Sequence, residues 1–224
     1  MEKKMEITKE IISKEIVNMK EYYSKLETLF ENQIPKPLII EGTIEEFEKN
    51  KENGKKGIYP NLANHDKYKV LNDYSKTIYM FFENAFSLKK SVINDTFDKL
   101  SPRASEKKKP GTKNGKKISL CRINDTDKWE ETKSGEPVCL YVGSSKDIKQ
   151  RLKEHLFLCK QNTYAMHLKE WFDNKTHITI YIWDFKKFFE NKNVNEEESL
   201  EHLQNIEDLL WNHYKPLFGR QGKK

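Results

Sequence analysis

The stretch YVGSSKDIKQRLKEH, residues 141–155, decides how the second half of the chain folds. An apolar strand ends in Tyr-Val-Gly, a polar turn follows, and a helix begins that carries Arg151 and His155 four residues apart. Residues at this spacing lie on one face of a helix. Tyr141, Arg151 and His155 can therefore meet at one strand-to-helix corner, and these three side chains suit the cleavage of a phosphodiester.

The elements around this stretch predict a mixed fold. Residues 177–183, HITIYIW, alternate apolar and polar positions and have strong β character. The predicted elements, in chain order, are strands at 117–123 and 137–143, helices at 145–159 and 163–172, a strand at 177–183 and a helix at 197–213. This order, β-β-α-α-β-α, predicts an α+β fold with a small central β-sheet flanked by helices.

The first hundred residues are predicted to be mostly helical. Apolar residues recur at three- and four-residue spacing over about 6–32, which is typical of an amphipathic helix. Thr43 and Glu46 have the spacing of a capping box that opens a short helix ending near Asn50. Two more helices are predicted near 65–83 and 84–99, with a buried side made of Ile78, Tyr79, Phe81, Phe82 and Phe86.

The net positive charge is concentrated in one short stretch of the chain. Residues 101–117 contain seven basic residues and one acidic residue, while the residues before and after each hold 17 of either sign, so the whole net charge of +6 lies in this stretch. The stretch also contains Pro and Gly, which favour a linker. We therefore predict three parts, a mostly helical region at 1–100, a basic linker at 101–117 and a second domain at 118–224.

Composition narrows the class of protein. Three cysteines without close spacing argue against a disulfide scaffold or a zinc site and favour a reducing cytoplasm. No apolar run is long enough to span a membrane, and residues 1–10 alternate Lys and Glu without an apolar signal core. We expect a cytoplasmic protein that makes no membrane contact.

Glu207 interrupts an apolar helical stripe. Leu200, Leu203, Leu210 and Tyr214 lie at i, i+3, i+10 and i+14, and Glu207 occupies i+7. A carboxylate on an inward stripe costs several kcal/mol unless it is paired or binds a metal. Periodicity leaves two interpretations open, a Mg²⁺ ligand or a partly exposed Glu paired with a Lys.

Together these residues resemble the GIY-YIG nuclease superfamily over about 117–224. The resemblance implies a nuclease domain at 118–224, with the helical region at 1–100 serving DNA recognition or dimerisation. Tyr141-Val142-Gly143 looks like the second signature tripeptide, and Arg151 looks like the phosphate-contacting arginine. His155 stands where members carry His or Tyr, and Glu207, on a late helix before Tyr-Lys-Pro, looks like the single metal ligand. The resemblance implies hydrolysis of DNA with Mg²⁺ or Mn²⁺ held by Glu207, the phosphate bound by Arg151, and water activated by Tyr141 with the help of His155.

The chain departs from the family pattern at two places. The first tripeptide would align with Ser119-Leu120-Cys121, which puts a cysteine at the place of the first tyrosine. A literal Gly57-Ile58-Tyr59 lies far from Tyr141 in a Lys/Gly-rich loop, and we interpret it as coincidence. The late asparagine of the family would fall near Gly219, which has no side chain for hydrogen bonding.

Several basic residues are candidates for DNA contact, because clustered Lys and Arg supply affinity for the phosphate backbone. The candidates are Lys107, Lys108, Lys109, Lys146 and His167, with a structural role as the alternative for His167. The polar loop at 124–136 is a further candidate for entering a groove.

The leading functional hypothesis is a metal-dependent DNA endonuclease, with restriction-like action favoured and a mobile-element or repair nuclease left open. A non-catalytic nucleic-acid-binding module with a degenerate nuclease fold is the second class, and an RNA-processing enzyme or toxin is the third. One active site cuts one strand, so a double-strand break needs either a homodimer, which we favour, or two encounters.

Overall fold

The structure is a computed structural model. It describes residues 34–48, 69–84, 137–157, 165–170 and 172–219, together with isolated positions at Val17, Lys20, Glu21, Ser24, Thr28, Thr112, Lys113, Lys116 and Lys117. The five isolated positions from Val17 to Thr28 are helical, as predicted for 6–32. Predictions for the 84–99 helix beyond Asn84, the Gly57-Ile58-Tyr59 tripeptide, Cys121, the 124–136 loop and Lys107, Lys108 and Lys109 lie outside the described residues.

The described strands are β1 (Leu38–Thr43), β2 (Thr77–Glu83), β3 (Thr112–Lys113), β4 (Lys116–Lys117), β5 (Val138–Ser145) and β6 (His177–Asp184). The described helices are α1 (Ile44–Glu48), α2 (Ile148–Leu156), α3 (Lys186–Asn191) and α4 (Glu196–Tyr214), with a 3-10 turn at Leu168–Glu170. The predicted helix at 163–172 is therefore reduced to this 3-10 turn among the described residues. Helix α3 lies between the strand predicted at 177–183 and the helix predicted at 197–213, where no element was predicted.

Local capping explains where three helices begin. At α1 the capping box is present, because the Thr43 amide donates to Glu46 at 2.8 Å and the Glu46 amide donates to the Thr43 hydroxyl at 3.2 Å. Asp147 accepts from the Gln150 amide at 3.0 Å and so caps α2. Asn195 accepts from the Glu198 amide at 2.9 Å and caps α4.

Four strands form one antiparallel sheet in the order β1-β6-β2-β5. Helix α2 packs on one face through Ile148, Leu152 and Leu156, which share a core cluster with Tyr79 and Phe81. Helices α3 and α4 pack on the other face, where Phe189 and Leu203 cluster with Ile78. A small central sheet flanked by helices, the predicted α+β class, is confirmed.

The prediction of a helix at 65–83 is wrong over Thr77–Glu83, which forms β2. This strand lies in the interior of the sheet and is covered on both faces, so Ile78, Tyr79 and Phe81 are all buried. A short run that is apolar on both sides has no alternation and cannot be told from a buried helix by periodicity. Its β-branched and aromatic residues were the available signal for a strand.

Among the described residues, the strand that pairs with β5 is β2, in antiparallel register. The strand predicted at 117–123 lies outside the described residues apart from Lys117, which ends β4. Strand β4 pairs with β3 inside the stretch predicted to be a basic linker. Because β1 and β2 come from residues 1–100, the sheet takes strands from both sides of the predicted boundary at 118.

Among the described residues, none of the helices is both long enough and apolar enough to cross a membrane.

Candidate functional site

Two tyrosines from paired strands stack at the centre of the site. Tyr79 on β2 and Tyr141 on β5 have ring centroids 5.9 Å apart and planes inclined by 16°. The pairing shifts between Phe81 and Phe82, so Phe82 opposes Cys139 and Phe81 opposes Tyr141. Such a bulge leaves one extra residue on β5 before Tyr141. From Tyr141 onward the register is regular, so Tyr141 shares the face of Phe81 and therefore that of Tyr79, since side chains alternate along β2.

Gly143 allows the two rings to approach each other. It lies directly opposite Tyr79 in the register, and a Cβ atom at this position would be 2.5 Å from Tyr141 Cε1 and 2.7 Å from the Tyr79 hydroxyl oxygen. These distances are shorter than real Cβ contacts. The glycine that the sequence placed at the strand end is therefore required for space rather than for a turn.

His155 lies beneath both tyrosines and is fully buried. Its ring centroid is 4.3 Å from that of Tyr141, and its Nε2 lies 3.1 Å from the Tyr79 hydroxyl. Its Nδ1 accepts a hydrogen bond from the Met166 amide at 3.2 Å. A neutral imidazole that accepts at Nδ1 carries its proton on Nε2, so Nε2 donates to the Tyr79 oxygen.

The charge state of His155 follows from its surroundings. Burial lowers its pKa well below the usual value, and the positive charges of Arg151 and His167 lower it further. His155 is therefore neutral at neutral pH. Its hydrogen bond to the Tyr79 hydroxyl holds that side chain in place.

Arg151 connects the tyrosines to the solvent side of the site. It lies one helical turn before His155 on α2 and is partly buried. Its Nε donates to the Tyr79 hydroxyl at 3.3 Å, and it also hydrogen-bonds Tyr141. The Tyr79 oxygen thus accepts from a guanidinium and from an imidazole, which is an arrangement that favours a phenolate.

The burial of Tyr79 opposes the formation of a phenolate. Desolvation, followed by the neighbouring Tyr141, raises the pKa of Tyr79 well above its usual value, and the charge and hydrogen bond of Arg151 lower it by less. Tyr79 is therefore a neutral phenol in the free protein at neutral pH. Its ionised form increases with pH as the solution approaches this raised pKa.

Glu207 reaches the same corner from α4. The helix packs on the other face of the sheet, and the carboxylate accepts hydrogen bonds from the side chain and backbone of Ser144, in the strand that carries Tyr141. Burial raises the pKa of Glu207, while the bonds to Ser144 and the charge of Arg151 act in the opposite direction. The four residues predicted from sequence, Tyr141, Arg151, His155 and Glu207, are thus brought to one site.

The chain after α4 closes the site behind Tyr141. The Leu217 and Phe218 amides donate to the Cys139 and Leu140 carbonyls at 3.1 and 2.8 Å, which ties this segment to β5. Gly219 then lies against the Tyr141 ring, and a Cβ there would be 3.0 Å from Tyr141 Cε2. Its φ of +108° also favours glycine. A larger residue at this place would displace Tyr141.

Two further predicted residues lie at different depths. Lys146 is exposed and forms an ion pair with Glu196 at 3.0 Å. His167 is buried at 1% exposure with a φ of 54°, and its charge acts on His155. This position favours the structural alternative for His167 over direct contact with a phosphate.

Sequence reasoning missed Tyr79 as a functional residue and treated it as the buried side of a helix. The signal that could have found it was the run TIYMFF at 77–82, whose β-branched and aromatic residues favour a strand. Only the pairing of β2 with β5 shows that its tyrosine faces the one in Tyr-Val-Gly.

A metal would have one protein ligand here. Within the described ranges, no group of three or more His, Cys, Asp or Glu side chains is placed to hold an ion. Mg²⁺ is commonly held by one or two carboxylates, with water and substrate phosphate oxygens completing its shell. The desolvated carboxylate of Glu207 beside Arg151 fits that mode of binding and does not fit an all-protein cage.

A separate groove of about 550 Å³ lies on the sheet face opposite the tyrosine pair and is lined by Phe82, Tyr181, Trp183 and Tyr214 among others. None of the five site residues is among the described residues that line it. The candidate site is therefore the tyrosine corner and not this groove.

Comparison with known proteins gives no match: no protein-family model, no curated protein and no solved structure matches the chain. Its function has to be argued from the geometry of the side chains.

Proposed function

We propose that the chain is a metal-dependent endonuclease that hydrolyses DNA phosphodiester bonds with a GIY-YIG-type site. The observation that carries this proposal is the stacked pair Tyr79 and Tyr141 on antiparallel strands, with Arg151 bonded to the Tyr79 hydroxyl. The carboxylate of Glu207 lies within the electrostatic reach of that guanidinium. Two hydroxyls, a fixed cation and a desolvated carboxylate at one edge of a sheet suit phosphodiester hydrolysis.

Tyr79 also supports the family resemblance. The family pattern calls for a tyrosine on a strand that precedes Tyr-Val-Gly, and by sequence Cys121 aligns with that tyrosine. Thr77-Ile78-Tyr79 lies on the strand that pairs with β5 and supplies such a tyrosine. With Tyr79 in this role, the proposal no longer requires a nuclease that lacks its first tyrosine.

In the proposed reaction, Arg151 binds the scissile phosphate, since its planar guanidinium can contact two phosphate oxygens at once. Glu207 would hold the divalent ion, which when bound neutralises charge on the phosphate and the leaving oxygen. His155 keeps the Tyr79 oxygen in place through Nε2–H. The backbone amide of Met166 fixes the imidazole tautomer that makes this possible.

Tyr79 is the proposed general base. As a phenolate it can take a proton from an attacking water, and the two donors at its oxygen stabilise that phenolate. Because its pKa is raised, only a small fraction is ionised near neutrality. Tyr141, which stacks on Tyr79 and is only partly buried, would orient that water.

The direct test is a nicking assay on supercoiled plasmid and long genomic DNA with Mg²⁺ or Mn²⁺. We expect cleavage by the wild type and a rate lower by about 10²-fold or more in Glu207→Gln. Asp208→Asn, the neighbouring carboxylate on the same helix, is the matched control and should retain activity.

Equal cleavage by the wild type and Glu207→Gln would overturn the metal assignment. Binding of DNA without cleavage by the wild type would favour the non-catalytic binding module. Cleavage of RNA but not of DNA would favour the RNA-processing class, which the same assay detects with a folded RNA substrate.

A further inference from the structure

Glu154 is a buried carboxylate that no step of the proposed reaction uses. It is 7% exposed and lies on α2, three residues after Arg151. Its Oε2 accepts from Arg151 Nη1 at 3.0 Å, and its Oε1 accepts from Gln150 Nε2 at 2.9 Å. Both carboxylate oxygens are therefore engaged, one of them by the guanidinium that contacts the tyrosines.

These bonds restrict the orientation of the Arg151 side chain. Nη1 is held by Glu154 and Nε by the Tyr79 hydroxyl, so two edges of the planar guanidinium are fixed to different elements. A planar group held at two edges cannot rotate about its long side chain. Gln150 in turn holds the carboxylate, and the three residues form a chain along one helical face.

The pair also changes the charge that an incoming anion meets. A buried carboxylate beside a guanidinium cancels much of its positive charge, and an anion that approaches Arg151 is also repelled by Glu154. A correctly oriented group that binds the phosphate weakly in the ground state has more of its interaction energy left to stabilise the transition state.

We propose that Glu154 is a positioning residue that holds Arg151 in its phosphate-binding orientation and lowers the affinity of the free protein for nucleic acid. This inference rests on the proposed function for the identity of the anion. It does not rest on that function for the orientation of Arg151, which is a property of the free protein.

Glu154→Gln tests both parts, because it keeps the size of the side chain and removes its charge. The orientation is read from the ¹⁵N-detected Nε–H signal of Arg151, assigned by its loss in Arg151→Lys. We expect a slowly exchanging signal in the wild type and exchange at least about tenfold faster in Glu154→Gln, since a neutral amide oxygen holds the guanidinium less firmly than a carboxylate and its N–H opens to water more often.

Affinity and rate give the second readout. For mixed genomic DNA fragments in EDTA, we expect Glu154→Gln to bind about fivefold more tightly than wild type, as removal of one nearby charge predicts. With Mg²⁺, cleavage should fall by on the order of 10-fold to 10²-fold because the arginine is misplaced. Glu201→Gln, an exposed site on α4 with the same change in net charge, is the control and should change neither.

An unchanged Arg151 signal in Glu154→Gln would overturn the inference whatever the protein cleaves. Weaker or equal DNA binding with a changed signal would overturn the part about affinity. If the signal changes but neither protein binds DNA, the proposed function fails and the positioning of Arg151 stands. Should Glu154→Gln fail to fold, Gln150→Ala, which removes only the second bond to the carboxylate, should accelerate exchange of the Arg151 signal by less and leave the affinity for DNA unchanged.

Discussion

Tyr79 and Tyr141 stack across the β2–β5 pair, with 5.9 Å between their ring centroids. The stack joins a strand from residues 1–100 to the strand of the Tyr-Val-Gly stretch. The register beyond the bulge puts both side chains on one face of the sheet, and Gly143 leaves room for the two rings.

Tyr79→Phe removes the hydroxyl that accepts from Arg151 and His155 while keeping the ring. We expect cleavage to fall by about 10²–10⁴-fold, the usual contribution of a general base. The free energy of unfolding should fall by about 1–3 kcal/mol because two buried donors lose their acceptor. Tyr181→Phe makes the same chemical change on the opposite face of the sheet and should leave the rate of cleavage unchanged.

The pH dependence of wild-type cleavage tests Tyr79 in another way. Because its pKa is raised well above 10, the phenolate fraction should rise about tenfold per pH unit throughout the range below that pKa. The logarithm of the rate measured in single turnover should therefore increase with pH beyond neutrality. A plateau beginning near pH 7 would assign the proton transfer to another group.

Gly143→Ala should displace one or both tyrosine rings. The new Cβ would meet Tyr141 and Tyr79 at 2.5 and 2.7 Å, and both rings are packed against neighbours. We expect a loss of about 1–3 kcal/mol in stability, as for overpacking of a core, together with a changed near-ultraviolet circular dichroism spectrum. Gly42→Ala, whose Cβ would meet Phe47 at 3.2 Å, is the comparison and should cost less. Equal losses in the two variants would argue against a special requirement at Gly143.

His155→Asn should alter how stability depends on pH. The folded pKa of His155 is lowered, so the unfolded chain takes up a proton that the folded chain does not. The wild type should therefore lose up to about 1.4 kcal/mol per pH unit as the pH falls below about 6.5. In His155→Asn the amide oxygen can still accept from Met166, but this slope should disappear. Urea denaturation between pH 8 and pH 5 measures it, with His213→Gln at an exposed position as the control.

If the slope below pH 6.5 is the same in wild type and His155→Asn, then His155 is not held neutral by burial and the tautomer argument for Tyr79 fails. His213→Gln should reproduce the wild-type curve.

Glu207→Gln should stabilise the protein while it abolishes cleavage. Burial raises the pKa of Glu207, so the folded chain keeps a proton that the unfolded chain has already released as the pH rises above 4.5. The free energy of unfolding of the wild type therefore falls as the pH rises from 4.5 to the raised pKa of the folded state, and it stays lower above that pKa. The uncharged amide lacks the loss, so its thermal midpoint should exceed the wild-type midpoint at pH 7 and approach it below pH 4.5.

A lower midpoint for Glu207→Gln at pH 7 would show that the charge of Glu207 stabilises the free protein. The site would then be an ordinary ion pair with Arg151 and not a carboxylate held ready for a metal. Glu201→Gln, at an exposed position on the same helix, serves as the control.

The local sequence was sufficient for some of these features. The capping pair Thr43 and Glu46, the position of α2 after Asp147 and the shared helical face of Arg151 and His155 depend on neighbours within one or two turns. The alternation of HITIYIW also depends only on local pattern. Such features can be read from sequence because the interactions that fix them join residues close together in the chain.

Tertiary structure decided the rest. Whether Tyr79 belongs to a helix or a strand, and which strand lies beside Tyr141, depended on pairing between segments far apart in sequence, and an apolar run buried on both faces contains no periodic signal of that pairing. The burial of Glu154 could not be predicted from the sequence either, because an acidic residue three positions after an arginine is normally solvated. By itself the sequence determined the corner that holds Tyr141, Arg151 and His155. The packing of the sheet decided that Tyr79 is the partner tyrosine, that Gly143 leaves the space for it and that the carboxylate of Glu154 is buried against the arginine.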